Sequence, residues 1–563
     1  ALAQSIRNRL GAVAGAALLV PLTTALSSCG GGSADQPADL VPAGAPIYLE
    51  VSLDSDEQVA NARALIDELG EVPVLGSTLD PEELIASALE DSAADAGVDF
   101  SYAEDIEPWL GERGALAFLS FEGFGSPEPV AGETPAVEDA EPEDFVFVLE
   151  SSDEQIARDS IRRLIEADGE TTAEDTEIGG EEALAVADDD LYVAFPEGFV
   201  VLAPTEEAVA SAVEAPGDEP LSDSDVLDES QAGLPSERLG FTFVDVAAAI
   251  EYALDTGEIE QSELDAVRAA YGDSLEQPLG IAVSAEERSL AVDVGSGIDT
   301  GTIGLPITGA SATAAGAPQD VLGVTGLGDL AEQAGVLLDR LDEIAAAAGD
   351  DTPTREVLEQ GFESEVGVSL DGAVAALGDA SVWVRGEPPV RYSVGFEMAS
   401  GDPEVAGDLL DALADGLRSD GYRVGPPPAG SDGGFVAAGD PLITGGSEFG
   451  YVTGALSGER LTVTLATDRG QTVSVPGSEV GDTPGFADAE EALGEDFELT
   501  SYADLGAILD LVVRESSAFD VITGETAPED FVLEYLAGKL GFAAAGVRTD
   551  GDRTIQRFVA GLR

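Results

Sequence analysis

The side chains that carry most enzyme chemistry are nearly missing from this sequence, while one class that could carry it is present in excess. Across 563 residues there is no histidine, one cysteine (Cys29) and one lysine (Lys539), against 112 aspartates and glutamates and a net charge of −88. Histidine-dependent acid–base catalysis, Cys/His metal sites and a disulfide framework are therefore excluded. A serine nucleophile would need lysine or a carboxylate as its base, and no Gly-x-Ser-x-Gly elbow is present. Lys539 follows an apolar helical pattern at Phe531–Leu536, where a long cationic side chain reaches back to solvent. It also fails as a phosphate-binding lysine, because Leu533 stands where the loop's leading glycine belongs. Gly326-Leu327-Gly328 begins like a dinucleotide fingerprint, but Ala331 takes the third glycine position.

That leaves the carboxylates. Paired acids can hydrolyse glycosides or hold hard cations, yet among 112 of them some pair satisfies any spacing rule. The densest short clusters, Asp188-Asp189-Asp190 and Asp223–Asp228 (DSDVLD), lack the central glycine and closing glutamate of a twelve-residue calcium loop. No catalytic, cofactor or metal residue is assigned, and weak cation association is the most these clusters suggest. A nucleic-acid partner is excluded, since a phosphate backbone needs a basic footprint. Trp109 and Trp383 each lie near a strand pattern and are expected to pack in the core.

Cys29 has a definite context. Arg7 and Arg9 precede an uncharged stretch, Leu10–Leu22, followed by small residues up to Cys29. A basic region, a short apolar region and small residues before a cut site describe a secretory signal, here residues 1–28. Leu26-Ser27-Ser28-Cys29 resembles the lipobox of bacterial lipoproteins, in which the cysteine is acylated and becomes the mature N-terminus. At ~0.8 kcal/mol per buried CH₂, two or three chains anchor a protein durably. The implied location is the outer face of the cytoplasmic membrane, with the membrane as partner through the lipid. Residues 29–40 then read as a flexible tether.

Positioning falls to the remaining chain, which is too long for one hydrophobic core. A charge-free stretch, 301–319, reads as a linker between a first domain at 41–300 and a second at 320–563. The two sides match in outline: Leu110–Phe118 with Leu377–Val384, Phe145–Glu150 with Tyr392–Glu397, Phe241–Asp245 with Leu499–Asp504, and Leu279–Val294 with Leu540–Val559. The order is common and the offsets lie between 247 and 267, which a tandem duplication explains. Within each half the hydrophobic period switches between two and 3.6, as at Ile47–Val51 followed by Val59–Leu69. The fold class expected is α+β: two related domains, each an antiparallel sheet with helices on one face. Residues 122–144 hold eight acids, four prolines and no base, and read as a disordered acidic loop. Gly425–Gly434 reads as a shorter flexible insert.

The segment Ala38–Val51 (ADLVPAGAPIYLEV), just after the lipobox, resembles the start of the DUF3352 domain proteins, an actinobacterial family of uncharacterised envelope proteins. Pro220–Val226 ahead of Leu234-Pro235, Gly240–Asp245 and the Gly198–Ala203 strand before Glu206–Ala215 resemble it too. The resemblance implies no activity and transfers no catalytic residue. The function expected is a non-enzymatic, lipid-anchored envelope protein with a binding or structural role. The alternatives are a carrier enclosing a lipid or other apolar ligand and a carboxylate-dependent glycan hydrolase. An acid-rich, lysine-poor surface repels itself in dilute buffer and is screened at molar salt, which points to adaptation to saline surroundings.

Overall fold

The computed structural model describes residues 34–52, 55–70, 101–121, 144–166, 171–186, 191–217, 219–297, 309–348, 353–387, 391–439, 450–468, 478–523, 528–550 and 553–563. The signal region with Leu26, Ser27, Ser28 and Cys29, the acidic loop up to residue 143, Asp188–Asp190 and residues 301–308 lie outside them. The chain divides into two compact units. One is built on residues up to Glu258 with Glu276–Arg288 and Val292–Gly297, the other on Ile259–Leu275, Ser289–Ala291 and Ile298–Arg563. The excursion 259–275, expected in the first domain, therefore belongs to the second unit.

The first unit carries β1 (Ile47–Ser52), β2 (Leu110–Phe118), β3 (Phe145–Ser151), β4 (Glu174–Ile178), β5 (Glu181–Val186), β6 (Leu191–Ala194), β7 (Phe199–Ala203), β8 (Gly240–Val244), β9 (Leu279–Ala285) and most of β10 (Ser289–Ser296). Their order across the sheet is β4-β5-β6-β7-β3-β2-β1-β8-β9-β10, antiparallel from β4 to β9. The second unit carries β11 (Gly323–Leu327), β12 (Ala380–Glu387), β13 (Arg391–Ala399), β14 (Arg423–Gly425), β15 (Gly433–Ala438), β16 (Tyr451–Ser457), β17 (Arg460–Ala466), β18 (Glu498–Asp504), β19 (Leu540–Asp550) and β20 (Arg553–Leu562). Its order is β14-β15-β16-β17-β13-β12-β11-β18-β19-β20, antiparallel throughout. The class is α+β with extensive antiparallel sheet, and the two strand orders are the same with ten added to each number.

Helices cover both faces of each sheet, which corrects the expectation of one covered face. In the first unit α3 (Glu154–Ile165) starts at Asp153, whose carboxylate accepts from the Ile156 amide at 3.0 Å. Its Ala157, Ile161 and Ile165 pack in one core with Leu184, Val193 and Val200. The helix α4 (Glu206–Glu214), capped by Thr205, sends Ala208, Val209 and Ala212 into another core with Phe199, Val201 and Ala203. Strand β7 (FVVLA) is therefore apolar at successive positions because both of its sides are buried. In the second unit α12 (Pro403–Ser419), with Asp402 as cap and Pro403 in its first turn, packs Ala406, Leu410 and Ala414 against Phe435 and Val452. Opposite them, α13 (Pro484–Leu493) packs Phe486, Ala489 and Leu493 with Trp383 and Tyr502.

Two stretches read as connectors are parts of the cores. Pro37–Leu40, at the end of the expected tether, forms a 3₁₀ turn with Leu40 1% exposed. Ala310–Ala315, inside the expected linker, is a helix (α8) with Ala310 and Ala314 fully buried. It lies so close to β11 that a Cβ on Gly326 would meet the Ala310 carbonyl oxygen at 1.9 Å. Small side chains permit that approach, and the absence of charge reflects burial. Each turn leads to a proline bridge: Pro42 to Pro220 in the first unit, Pro318 to Glu479 in the second. The insert at Gly425–Gly434 contains the connection between β14 and β15.

Candidate functional site

The residues with most chemical promise in sequence do not converge. Lys539 ends α15 (Pro528–Lys539), with Nζ 5.6 Å from the Tyr535 ring centroid. Asp223 lies in a 3₁₀ turn, while Asp225 and Asp228 lie in the first turn of α5 (Asp225–Gln231), where the helix dipole favours acids. Among the described residues no group of three or more His, Cys, Asp or Glu is placed to hold a metal. Both tryptophans are buried, at 1% and 0% exposure, and Trp109 Nε1 donates to the Asp105 carbonyl at 2.7 Å.

A cleft of about 340 Å³ opens in the second unit, lined in part by Thr483, Gly485, Asp488, Tyr502, Asp504 and Arg563. Strand β18 supplies Tyr502, only 4% exposed, with its ring 5.3 Å from that of Phe486 on α13. Thr483 caps α13, accepting from the Phe486 amide, and Pro484 occupies its first turn. This places Gly485 beside the phenol, where a Cβ would lie 2.8 Å from the Tyr502 hydroxyl oxygen. The absence of a side chain at Gly485 leaves that hydroxyl room to face the cleft. Asp504 accepts from Arg563 Nη2 at 3.1 Å and caps the following helix, α14 (Leu505–Thr523), by accepting from the Ala507 amide at 2.8 Å. Burial pushes the Tyr502 phenol up to about 12, with the Asp504 charge adding to the effect and Arg563 opposing it. At neutral pH the phenol stays protonated and serves as a hydrogen-bond donor. The arrangement can hold a small polar molecule; the described residues place no activated nucleophile within it.

The first unit is built differently at the same place. Phe243 faces Tyr48 across β8 and β1 as Tyr502 faces Val324 across β18 and β11. Helix α5 begins at Ser224 as α13 begins at Thr483, so its second residue, Val226, takes the place of Gly485. Where the first unit has the apolar pair Phe243 and Val226, the second has Tyr502 and Gly485, a hydroxyl beside a helix position that carries no side chain. Two polar side chains of the first unit's sheet are paired within it. Tyr48 donates to Glu50 at 2.8 Å, and Glu150 accepts from the Glu112 and Arg113 amides at 3.2 and 3.1 Å. Burial, then the Glu50 charge, holds the Tyr48 phenol well above the usual tyrosine range.

Neither Gly485 nor Tyr502 has a sequence signal of its own; only alignment of the two helix caps separates them from core residues. The phenols give a direct check. Of ten tyrosines, Tyr48 and Tyr502 should stay protonated at pH 11 in the native protein, giving a late step in absorbance at 295 nm. Since the Tyr502 phenol rises from 10.0 unfolded to about 12 folded, its contribution to stability is complete below pH 10 and is lost as pH climbs through 12. Tyr502→Phe should remove one late-titrating phenol. Complete ionisation in one step near pH 10 would contradict the placement.

A family model described as "Protein of unknown function (DUF3352)" matches residues 10–292, just over half of the chain. No curated protein matches the chain. Among solved structures it is similar to TP0453 in crystal form I, at 11% identity over 46% of this chain and 78% of that one, with a TM-score of 0.23. Crystal form III of TP0453 gives 11% identity, 47% and 80% coverage and a TM-score of 0.23.

Proposed function

Because the chain belongs to the DUF3352 family, whose description assigns no activity, we propose its role from its own architecture: a lipid-anchored, non-enzymatic envelope protein made of two tandem related domains, the second of which binds a small polar ligand. The observation that carries this reading is the exchange of Phe243 and Val226 for Tyr502 and Gly485 within one repeated strand order. A duplicated domain keeps its framework in both copies and changes one of them where it acquires a task. Duplication is supported by ten strands in the same order, by matching caps at Ser224 and Thr483, and by the paired bridges at Pro42 and Pro318. The second repeat then begins at α8, within the stretch expected to be a linker. The proposed anchor is Cys29, in the Leu26-Ser27-Ser28-Cys29 tetrad. No helix among the described residues is long and apolar enough to cross a membrane.

Two other readings draw less support. A lipid carrier needs an open apolar interior, whereas the described cores are filled by side chains such as Tyr48, Phe243, Trp383 and Phe435, each at most 3% exposed. A carboxylate hydrolase needs two free acids in a cleft, and Asp504 is already tied to Arg563 and to a helix cap.

The test uses the full-length protein expressed in a bacterial host. Wild type should incorporate an alkyne-tagged fatty acid and stay with the membrane, and Cys29→Ser should lose both properties. Native mass spectrometry of detergent-released wild type should find a small polar adduct that Tyr502→Phe lacks. Fatty-acid label retained in Cys29→Ser overturns the anchor, and identical adduct spectra for wild type and Tyr502→Phe overturn the binding site.

A further inference from the structure

Among the described residues, three buried polar atoms of the second unit without a hydrogen-bond partner lie on one block of sheet. Arg385 on β12 lies directly opposite Ser393 on β13, and Trp383 lies opposite Gly395. Alternation along a strand puts these four residues on the same face. Cross-strand neighbours there are about 5 Å apart at Cβ. The indole folds over the glycine: a Cβ on Gly395 would meet Trp383 Cζ2 at 1.9 Å and Cε2 at 2.1 Å. Since Nε1 is bonded to Cε2, the indole N–H lies close to the β13 backbone at Gly395, two residues along the strand from Ser393. The Arg385 guanidinium carbon lies 4.9 Å from the ring centroid. Trp383 and Ser393 are both 0% exposed. Among the described residues, Trp383 Nε1, Arg385 Nε and Ser393 Oγ are each buried without a hydrogen-bond partner.

Three buried polar groups left unpaired in one place each carry an uncompensated desolvation penalty. The fold does not require them. In the first unit Tyr48 faces Ala117, where Val324 faces Trp383, and Ala117 in turn faces Val146, which stands in the place of Gly395. The rest of that block is Leu119 and Asp144, joined by a backbone hydrogen bond of 2.9 Å. No side chain there supplies an N–H.

All three groups can donate, and two of them can do nothing else. What completes them is an acceptor with no proton of its own to place. The local charge favours an anion. Arg385 is 16% exposed in its side chain, while the Asp320 carboxylate bonded to its Nη2 at 2.6 Å is 67% exposed. Solvent screens the acid far more than it screens the guanidinium. We propose that Trp383, Arg385 and Ser393 form an internal binding site for a small monovalent anion of the halide class, chloride being the abundant example. The site is separate from the Tyr502 cleft and does not rest on its reading. In a chain of net charge −88, it ties one element of the fold to the anion of the surrounding salt, whereas general screening depends on ionic strength alone.

The chain's two tryptophans make the test specific. The full mature protein, labelled with ¹⁵N at the indoles, gives two indole N–H signals, and Trp383→Phe identifies which belongs to Trp383. Chloride is then titrated against gluconate at constant sodium and ionic strength. The Trp383 signal should shift saturably with chloride, while that of Trp109, bonded to the Asp105 carbonyl, stays in place. Ser393→Ala should raise the half-saturating chloride concentration about tenfold, the worth of one hydrogen bond to a charged group. Bromide should reproduce the shift and appear as an anomalous scatterer beside the indole in a crystal. No saturable shift, or the same shift in gluconate, would mean that water fills the site and would overturn the proposal. So would unchanged chloride affinity in a Ser393→Ala protein that melts like wild type.

Discussion

Trp383→Ala should destabilise the second unit by about 3–5 kcal/mol, the cost of truncating a large buried aromatic. Gly395→Val should also be severely destabilising, because the new Cβ would lie 1.9 Å from the indole. The two changes together should cost less than either alone. The first unit contains the outcome of that double exchange, with Ala117 opposite Val146 where the second has Trp383 opposite Gly395. The neighbouring strand compensates in the other direction, as Tyr48 stands opposite Ala117 and Val324 opposite Trp383. Volume is thus held roughly constant along a row of the sheet while its position moves from strand to strand, the kind of change that cores tolerate. Urea unfolding followed by circular dichroism gives the double-mutant cycle. Purely additive losses would mean that the indole and the glycine do not share one space.

Raising NaCl from 0.05 M to 2 M should increase the melting temperature by on the order of 10 °C, equivalent to ~3–5 kcal/mol for domains of this size. The proposed salt adaptation rests on a surface whose acids greatly outnumber its bases, 112 to 24. At 0.1 M salt the screening length is ~10 Å, so neighbouring carboxylates repel one another and oppose compaction; at 1 M it is ~3 Å. Much of the effect should survive replacement of chloride by gluconate, since screening follows ionic strength. A melting temperature flat across the salt range would remove the adaptation. Neutralising scattered exposed acids should raise stability in dilute buffer and flatten the salt response.

How much was legible depends on which physical signal each element left. Strands β1 and β3 follow apolar runs evident at Ile47–Val51 and Phe145–Leu149, and α3 and α12 follow apolar stripes, so the α+β class emerges from periodicity. Coverage of both faces was encoded in Phe199–Ala203, five apolar residues in succession, but such a run can equally be a buried helical segment. The stretch at 309–319 misleads for a physical reason: close helix–sheet packing and a solvated linker both select Gly and Ala. The two tryptophans do not occupy equivalent places. Trp109 precedes β2, whereas Trp383 lies within β12 at the place of Ala117. Aligning the Leu-Gly pairs at 110 and 377 sets Trp383 against Leu116, one residue from the place that ladder register gives it. The cleft was illegible because a tyrosine in a strand and a glycine in a helix look like packing residues until their counterparts are known.

The position of β1 also governs how the first unit can be made. This central strand pairs on one side with β2 and on the other with β8, Ile47 facing both Phe118 and Val244. The preceding turn is closed by the bridge from Pro42 to Pro220. The unit's opening segment therefore waits for partners synthesised far later, and its core cannot close while the chain is still short. Contacts so distant in sequence make folding slow. For a chain exported as proposed, that delay is useful: the leading segment stays extended and threadable until much of the unit has followed it. Truncation before β8 should likewise leave an aggregation-prone chain with an unpaired central edge.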